Sequence, residues 1–415
     1  MSNDNNLFYG NGNVEVVKVK DIVESLTTGL NPRKNFVLNS YGSECPYITG
    51  KDIYDGKVNV SERTDRITKD EVCLINKRAK LQDDVILFAS TGTGTVGRMA
   101  YIEKYDGTWN VSETLYIIKL SPRIQPKFFM YYIESEAAKK QYEPKISKGS
   151  VPHLKIADLM NVSIPVPSLE EQSRIVHLMD ELNDATYKLI ASLQEEHQLR
   201  GQQFEYYREH ILADCKDATW MPLFSVASSG TGLTYKPGDV SAEGTLVLRS
   251  SNIQNSRLSF EDNVYVNMDK IPERAYVKSG DILICVRNGS KALIGKAAMI
   301  PELERPMAFG AFMTILRPNE LIDGKFLFFV WQSALIQDML HSDSGMPINQ
   351  ITKKMLEQIS IPVPPIEHQK RIVRILEKYD DINMKILNDL LVEIDVRQKQ
   401  YEYYRDKLMS FKEAV

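Results

Sequence analysis

Two polar, glycine-bearing loops hold the residues whose types and spacing could do chemistry in this sequence. The first is Gly92-Thr-Gly-Thr-Val-Gly97, followed by Arg98. It matches G-x-G-x-x-G after a strand-like run, with Glu113 about 20 residues on, where a ribose-binding acid would stand. A dinucleotide site needs that loop to open a helix whose N-terminus receives the pyrophosphate. Gly97 leads instead into Arg98-Met-Ala-Tyr-Ile-Glu103 and then Tyr105-Asp-Gly107, which reads as a second strand and a turn. The second loop, Asn288-Gly-Ser-Lys-Ala-Leu-Ile-Gly295, lacks the pattern, and its Gly289-to-Lys296 stretch misses P-loop spacing and ends in Ala297 rather than Ser or Thr. A nucleotide-dependent enzyme using the Gly92–Gly97 loop is therefore an outside alternative.

Both loops suit recognition better than catalysis. Thr91, Thr93, Thr95 and Arg98 sit where glycines allow close backbone approach to a ligand, and Arg287, Asn288, Ser290 and Lys291 occupy the matching place later in the chain. Arg and Lys read guanine edges, Asn and Gln read adenine, and Ser or Thr hydroxyls serve bases or phosphates. A second polar stretch carries Lys139, Lys140, Lys145, Lys148, Ser150, His153 and Lys155, with Ser344, Asn349, Gln350, Lys353 and Lys354 as its counterpart. A solvated hairpin, or a solubilising helix face, explains any one of these residues equally well at this level.

Other chemistry lacks its residues. No G-x-S-x-G, N-P-P-Y, D-P-P-Y or H-E-x-x-H stands in the chain, and Cys45, Cys73, Cys215 and Cys285 form no C-x-x-C pair. Scattered cysteines fit reduced thiols in a cytoplasm and argue against a zinc site. No run of about 18 apolar residues exists and the start, MSNDNNLFYGNGN, is polar, so a membrane protein is not expected. The formal charge of −4 is uneven: residues 161–215 carry −6, while 1–160 carry +2. Nucleic-acid binding is permitted if its basic surface is local.

What positions these loops is a repeat. Ile164-Pro-Val-Pro-Ser-Leu-Glu-Glu-Gln172 returns as Ile361-Pro-Val-Pro-Pro-Ile-Glu-His-Gln369, and Glu205-Tyr-Tyr-Arg208 as Glu402-Tyr-Tyr-Arg405. Residues 164–212 and 361–409 share 19 identities in 49 positions at a constant offset of 197. Each copy reads as an extended I-P-V-P stretch and then a long helix. Ser168 caps the first helix with Glu171 completing a capping box, and Pro364 and Pro365 suit the start of the second. Apolar residues then recur at threes and fours: Ile175, Leu178, Leu182, Ala185, Leu189 and Leu193, and Ile372, Ile375, Tyr379, Ile382, Ile386, Leu390 and Ile394. Tyr207 and Tyr404 extend the two seams. Each seam is narrow and needs a partner, and the chain supplies two equivalent helices of roughly 65–70 Å. An antiparallel coiled-coil pair is expected.

Residues 1–160 and 216–360 are β-rich, broken by Gly, Asn, Asp and Pro, and they resemble each other. Asp84-Val-Ile-Leu-Phe-Ala-Ser-Thr-Gly92 parallels Asp281-Ile-Leu-Ile-Cys-Val-Arg-Asn-Gly289, and Lys127-Phe-Phe-Met-Tyr-Tyr132 parallels Lys325-Phe-Leu-Phe-Phe-Val330, both expected helices. Gly149-Ser-Val-Pro152 is set against Gly345-Met-Pro347. The fold class is α+β: two α/β globules with β-rich cores (1–160 and 216–360), separated and joined by helical regions 161–215 and 361–415, in an internal two-fold repeat.

These features resemble the specificity subunits of type I restriction-modification systems, over essentially the whole chain. The resemblance rests on the order globule, helix, globule, helix; on I-P-x-P-x-x-E-Q before each helix; on Tyr206-Tyr-Arg208 and Tyr403-Tyr-Arg405 near each helix end; and on a D-I-L-type strand and glycine loop in each globule. It implies two target-recognition domains, each reading one half of a bipartite double-stranded DNA target, and two helical spacers that set the gap. It also implies docking of two methyltransferase subunits, which bind S-adenosylmethionine; restriction subunits, where present, add ATP- and Mg2+-dependent translocation and cleavage. This chain would then hold no cofactor or metal and no catalytic residue. The alternative within DNA binding is an S-like partner of a methyltransferase without a nuclease. A polar N-terminal tail and a longer Gly149 segment in the first unit imply different half-sites and an asymmetric target.

Overall fold

In a computed structural model, residues 14–33, 35–79, 81–215, 217–341 and 350–411 are described. The chain divides into two compact units: one runs to Leu193 and resumes at Glu393, and the other spans Gln194–Val392. Each unit thus takes a globule and one end of each of the two long helices, Leu169–Ala213 and Ile366–Leu408.

In the first unit, strands run Val23–Thr28, Leu115–Leu120, Val85–Ala89, Met99–Ile102 across an antiparallel sheet. In the second, the order Ala227–Thr231, Met313–Pro318, Ile282–Cys285, Ala297–Met299 repeats it. Val85–Ala89 is buried at every position, which fits its unbroken apolar run. A second small sheet in each globule includes one parallel pair, Tyr47–Ile48 with Asn110–Val111 and Leu246–Leu248 with Met307–Phe309. The globules differ beside it: the first inserts a helix, Lys69–Ala79, where the second has a turn at Glu273–Ala275.

Behind each main sheet lies the helix expected from the K-F pattern, Pro126–Glu134 and Gly324–Gln332. Phe128, Phe129 and Phe326 are fully buried, each worth roughly 1.5–3 kcal/mol of transfer free energy. These helices also clamp the glycine hairpins. Trp331 donates its Nε1–H to Gly295 O at 2.9 Å, while in the first unit Tyr142, from the next helix, lies against Gly97. Gly97 and Gly295 both have positive φ (91° and 86°); a Cβ at Gly97 would press on the Tyr142 hydroxyl, and one at Gly295 on Gln337 Oε1 from the helix after Trp331.

The I-P-V-P stretches are strands. Ser163–Val166 pairs with Glu15–Lys18, and Ser360–Val363 with Thr219–Pro222. The glutamine six residues past each strand's end, Gln172 or Gln369, explains the rest of that motif. Gln172 is fully buried, donates to Arg123 O and Pro167 O at 2.9 Å each, and accepts Gln125 N–H at 2.8 Å. Gln369 does the same with Leu321 O, Pro364 O and Asp323 N–H. One amide side chain thus ties the start of each long helix to the loop before its core helix. Ion pairs add to that tie: Lys127 meets Asp180 at 2.6 Å, where the Tyr131 hydroxyl also donates to Asp180 at 2.6 Å, and Lys325 meets Glu377 at the equivalent place.

Three local expectations are corrected. Glu171 receives Arg174 on its carboxylate instead of completing a capping box, although Ser168 Oγ does accept Glu171 N–H at 3.3 Å. Among the seam residues, Ile175 and Ile372 are buried, and Leu182, Leu193, Tyr379, Ile386, Leu390 and Tyr404 are half-buried. Leu189 is 42% exposed, however, and Ala185, Ile375 and Ile382 are exposed too. Thr186, Ile190, Leu376 and Asn383 take the inner positions, because the first helix makes two successive four-residue steps there, the second steps by four before three, and one of these inner residues in each helix is polar. Tyr207 is also exposed, in an edge-to-face contact with Tyr379 whose ring centroids lie 5.5 Å apart; Tyr379 also packs against Phe204, centroid to centroid 5.6 Å. The third correction is a one-residue displacement between the strands set side by side in sequence. Ile86 pairs with Ile118 where Ile282 pairs with Leu316, so Asp281 stands at the place of Val85 rather than Asp84.

Candidate nucleic-acid interface

The glycine loops close on the same frame in both units. Ala89 N–H donates to Arg98 O and Gly97 N–H returns to Ala89 O; Cys285 N–H donates to Lys296 O and Gly295 N–H returns to Cys285 O. All three glycines of Gly92–Gly97 have positive φ, and the chain then enters the strand Met99–Ile102. Three of the loop's amides, including those of its first and last glycines, are spent within the protein: Gly92 N–H on Pro152 O, Thr95 N–H on Gly92 O, Gly97 N–H on Ala89 O. A pyrophosphate would find neither those donors nor a helix dipole. The dinucleotide alternative loses its physical basis.

In the first unit three segments converge. Ser90 donates its N–H and Oγ–H to Thr114 O at 2.9 and 2.8 Å, and Leu154 N–H donates to Ser90 O at 2.8 Å. Thr91 and His153 form a backbone bridge, with Thr91 Oγ1 2.8 Å from His153 Nδ1. His153 in turn exchanges bonds with Ser147, closing a short loop that presents Lys148 and Ser150 to solvent. Lys145 is exposed just before it, at the end of a short turn of helix. Thus the two stretches that look separate in sequence are one surface.

Not every residue singled out there is equally available. Thr93 is exposed near the loop tip, but Thr95 folds its Oγ1–H back onto Thr91 O at 3.2 Å, where a Cβ on Gly92 would collide with it. Arg98 is exposed and reaches Ile53 O at 3.3 Å, toward the small hairpin Ile53–Val58. Beside this surface, Glu113 accepts Asn31 Nδ2–H at 2.7 Å, and Tyr47 lies near its other oxygen. Burial, reinforced by that carboxylate, pushes the Tyr47 hydroxyl well above its ordinary pKa, so it stays a donor.

The second unit builds the same junction with other side chains. Val286 and Arg287 N–H both donate to Phe312 O, at 3.0 and 3.2 Å, and Ile351 N–H donates to Val286 O at 2.7 Å. Arg287 and Gln350 form the backbone bridge that matches Thr91 and His153. Asn288 spends both ends of its amide on the loop: Nδ2–H on Ser250 Oγ at 3.0 Å and Oδ1 on Ser290 N–H at 2.9 Å. Ser290 and Lys291 are exposed on the outer part of the loop. Asn349, Ser344 and the Gly345–Pro347 segment lie outside the described residues.

Sequence reasoning missed Ser90, Thr114, Ser250 and Phe312. The signal for the last was present but unread: strand pairing sets Leu115 opposite Ala89 and Met313 opposite Cys285, so Thr114 and Phe312 are equivalent positions with unlike side chains. All four cysteines are free, and among the described residues no group of acids, histidines and cysteines could hold a metal ion. Among those residues, too, no helix is long and apolar enough to cross a membrane.

A family model described as type I restriction modification DNA specificity domain matches residues 11–197 and again 222–395. The chain is 28% identical over 270 residues to the type I restriction enzyme EcoR124I/EcoR124II specificity subunit of Escherichia coli, covering 62% of this chain and 65% of that protein. It is 31% identical over 199 residues to the EcoKI specificity subunit of Escherichia coli (strain K12), covering 47% and 40%. The matched stretch is thus less than two thirds of the length of either relative. Its fold is similar, at TM-score 0.71 and 18% identity over 96% of this chain and 97% of the other, to a chain from a solved structure described as the structural basis underlying complex assembly and conformational transition of the type I R-M system.

Proposed function

Since the chain belongs to the type I restriction modification DNA specificity domain family, we propose that it reads double-stranded DNA in two halves, one with each glycine-loop junction. The observation that carries this reading is the repeated frame with unlike side chains. Backbone hydrogen bonds build the same junction twice, while the groups presented are Thr91, Thr93, His153 and the Lys145–Ser150 loop in one unit and Arg287, Gln350, Ser290 and Lys291 in the other. A frame held by main chain leaves side chains free to differ, which a reader of two different half-sites requires. The target is therefore bipartite and asymmetric. Lysines at positions 145 and 148 supply phosphate contacts and the salt dependence that follows from them.

The recognition domains are 1–160 and 216–360, and the helical regions 161–215 and 361–415 set the unread gap and dock two adenine methyltransferase subunits. S-adenosylmethionine belongs to those partners, as do ATP and Mg2+ where restriction subunits join. The chain works in the cytoplasm and performs no reaction of its own.

Methylation sequencing of cells expressing this chain with its methyltransferase is the test. The expected outcome is one asymmetric motif of two short blocks separated by a fixed gap. Inserting four residues after Glu195 adds about 6 Å of helix and about 40° of rotation, and should change the gap or abolish assembly. A continuous motif, or an unchanged gap in the insertion variant, would contradict the proposal.

A further inference from the structure

Several arginines of the second unit are spent in ion pairs, and among the described residues Arg287, like Arg274 and Arg371, is not; what sets it apart is that it belongs to the glycine-loop junction. Arg317 is spent on Asp281, Arg249 on Asp262 and Arg257 on Asp380, each through an ion pair of 2.7–2.8 Å. Among the described residues no carboxylate or carbonyl takes the Arg287 guanidinium. It lies instead over the ring of Phe312, 5.3 Å from the centroid, and both side chains are exposed, Phe312 by 59%. An exposed phenylalanine gains little from folding, so a purely structural reason for it is weak. The pair is also mechanically one piece. Phe312 O accepts the N–H of Val286 and of Arg287, while Gln350 and Ile351 brace the loop from its other edge.

A guanidinium resting on an aromatic face loses rotamer freedom before any ligand arrives, and its planar donors keep their edge outward. That is the preorganisation a bidentate contact to O6 and N7 of guanine needs. Resting on the DNA-reading proposed above, we infer that Arg287 reads a guanine in the second half-site and that Phe312 is the residue that positions it. The first unit has Thr91 and Thr114 at these places and no such reader.

Selection from a pool of random 40-base-pair duplexes, by the full chain assembled with its methyltransferase subunits, tests this directly. The wild-type chain should select one guanine in the second block. Arg287→Ala should lower the preference for that base about ten- to hundredfold while the first block stays unchanged. Phe312→Ala, which removes an exposed ring and no core, should lower it about three- to tenfold. Phe312→Tyr should restore it, and replacing that guanine by 7-deazaguanine should cost the wild type affinity but cost Arg287→Ala almost nothing. Equal weakening of all sequences by Arg287→Ala would make it a phosphate contact and overturn the inference. So would an unchanged guanine preference in Phe312→Ala. Selection of no sequence at all by the wild-type complex would sink the DNA-reading proposal and this inference with it.

Discussion

The two glycine-loop junctions share their main-chain bonds and almost none of their side-chain chemistry. Seven residues, 90–96, lie between the closing pair Ala89 and Gly97, and nine, 286–294, between Cys285 and Gly295. The first loop is held compact by Thr95 turning back on Thr91, and the second by the Asn288 amide reaching Ser250. Its neighbour in space is a histidine in one unit and a glutamine in the other. Because a backbone N–H···O=C bond does not depend on residue type, the junction survives substitution of nearly everything that points outward. The same difference runs into the scaffold. Asp281 stands within the strand register, is 1% exposed and receives both arms of Arg317 at 2.7 Å. Asp84 precedes its strand at φ 56°, remains 48% exposed, and meets Lys119 at 2.7 Å.

That difference predicts unequal costs. Arg317→Ala should destabilise the second unit by about 3 kcal/mol, since it strands a buried carboxylate. Lys119→Ala should cost less than about 1 kcal/mol, because water replaces the lysine. Hydrogen exchange resolved by unit in the full chain would measure both, and equal losses would show that burial does not separate these pairs.

Where the units agree, they should break alike. Gln172→Ala and Gln369→Ala each leave two carbonyls, one of them in a buried bond, and a half-buried N–H without their side-chain partner, so each should cost about 2–3 kcal/mol in its own unit. A gap larger than about 1 kcal/mol between them would mean that the two helix starts are not equivalent.

The smallest effect concerns pH. Partial burial would raise the Asp84 carboxyl, but the Lys119 ammonium and the Tyr101 hydroxyl outweigh it and hold it below the ordinary carboxylate range. The reciprocal is that burial and Asp84 push Tyr101 up to about 12. A lowered carboxylate pKa adds stability that is present above the unfolded value near 3.9 and is lost as pH falls through the folded value. Asp84→Asn should therefore cost below about 1 kcal/mol at neutral pH and nothing at strongly acid pH. A destabilisation that persisted undiminished at acid pH would point to lost hydrogen-bond geometry rather than to charge.

Much of the architecture was legible because it rests on periodicity and repetition. The I-P-V-P strands, the two long helices and the K-F helices follow from proline stereochemistry and from apolar spacing. The seam was legible only in part. Thr186 and Asn383 sit at inner positions and break the apolar pattern, so a reading by hydrophobicity slides outward to Leu189 and Ile382. The junction was legible as two loops but not as one surface, because a bridge from Thr91 to His153 spans 62 residues and leaves no local mark.

The sequence by itself determined that the chain is a duplication, where its long helices begin, and which loops carry polar groups on glycine-rich frames. These depend on covalent stereochemistry and on short-range periodicity, which the order of residues encodes directly. Only the tertiary structure decided which polar groups are free and which are spent. It turned Asn288 and Thr95 inward, joined the His153 and Gln350 segments to the glycine loops, and set Arg287 on Phe312. The physical reason is that a donor's availability depends on its neighbours in space, and strand pairing brings those from many tens of residues away.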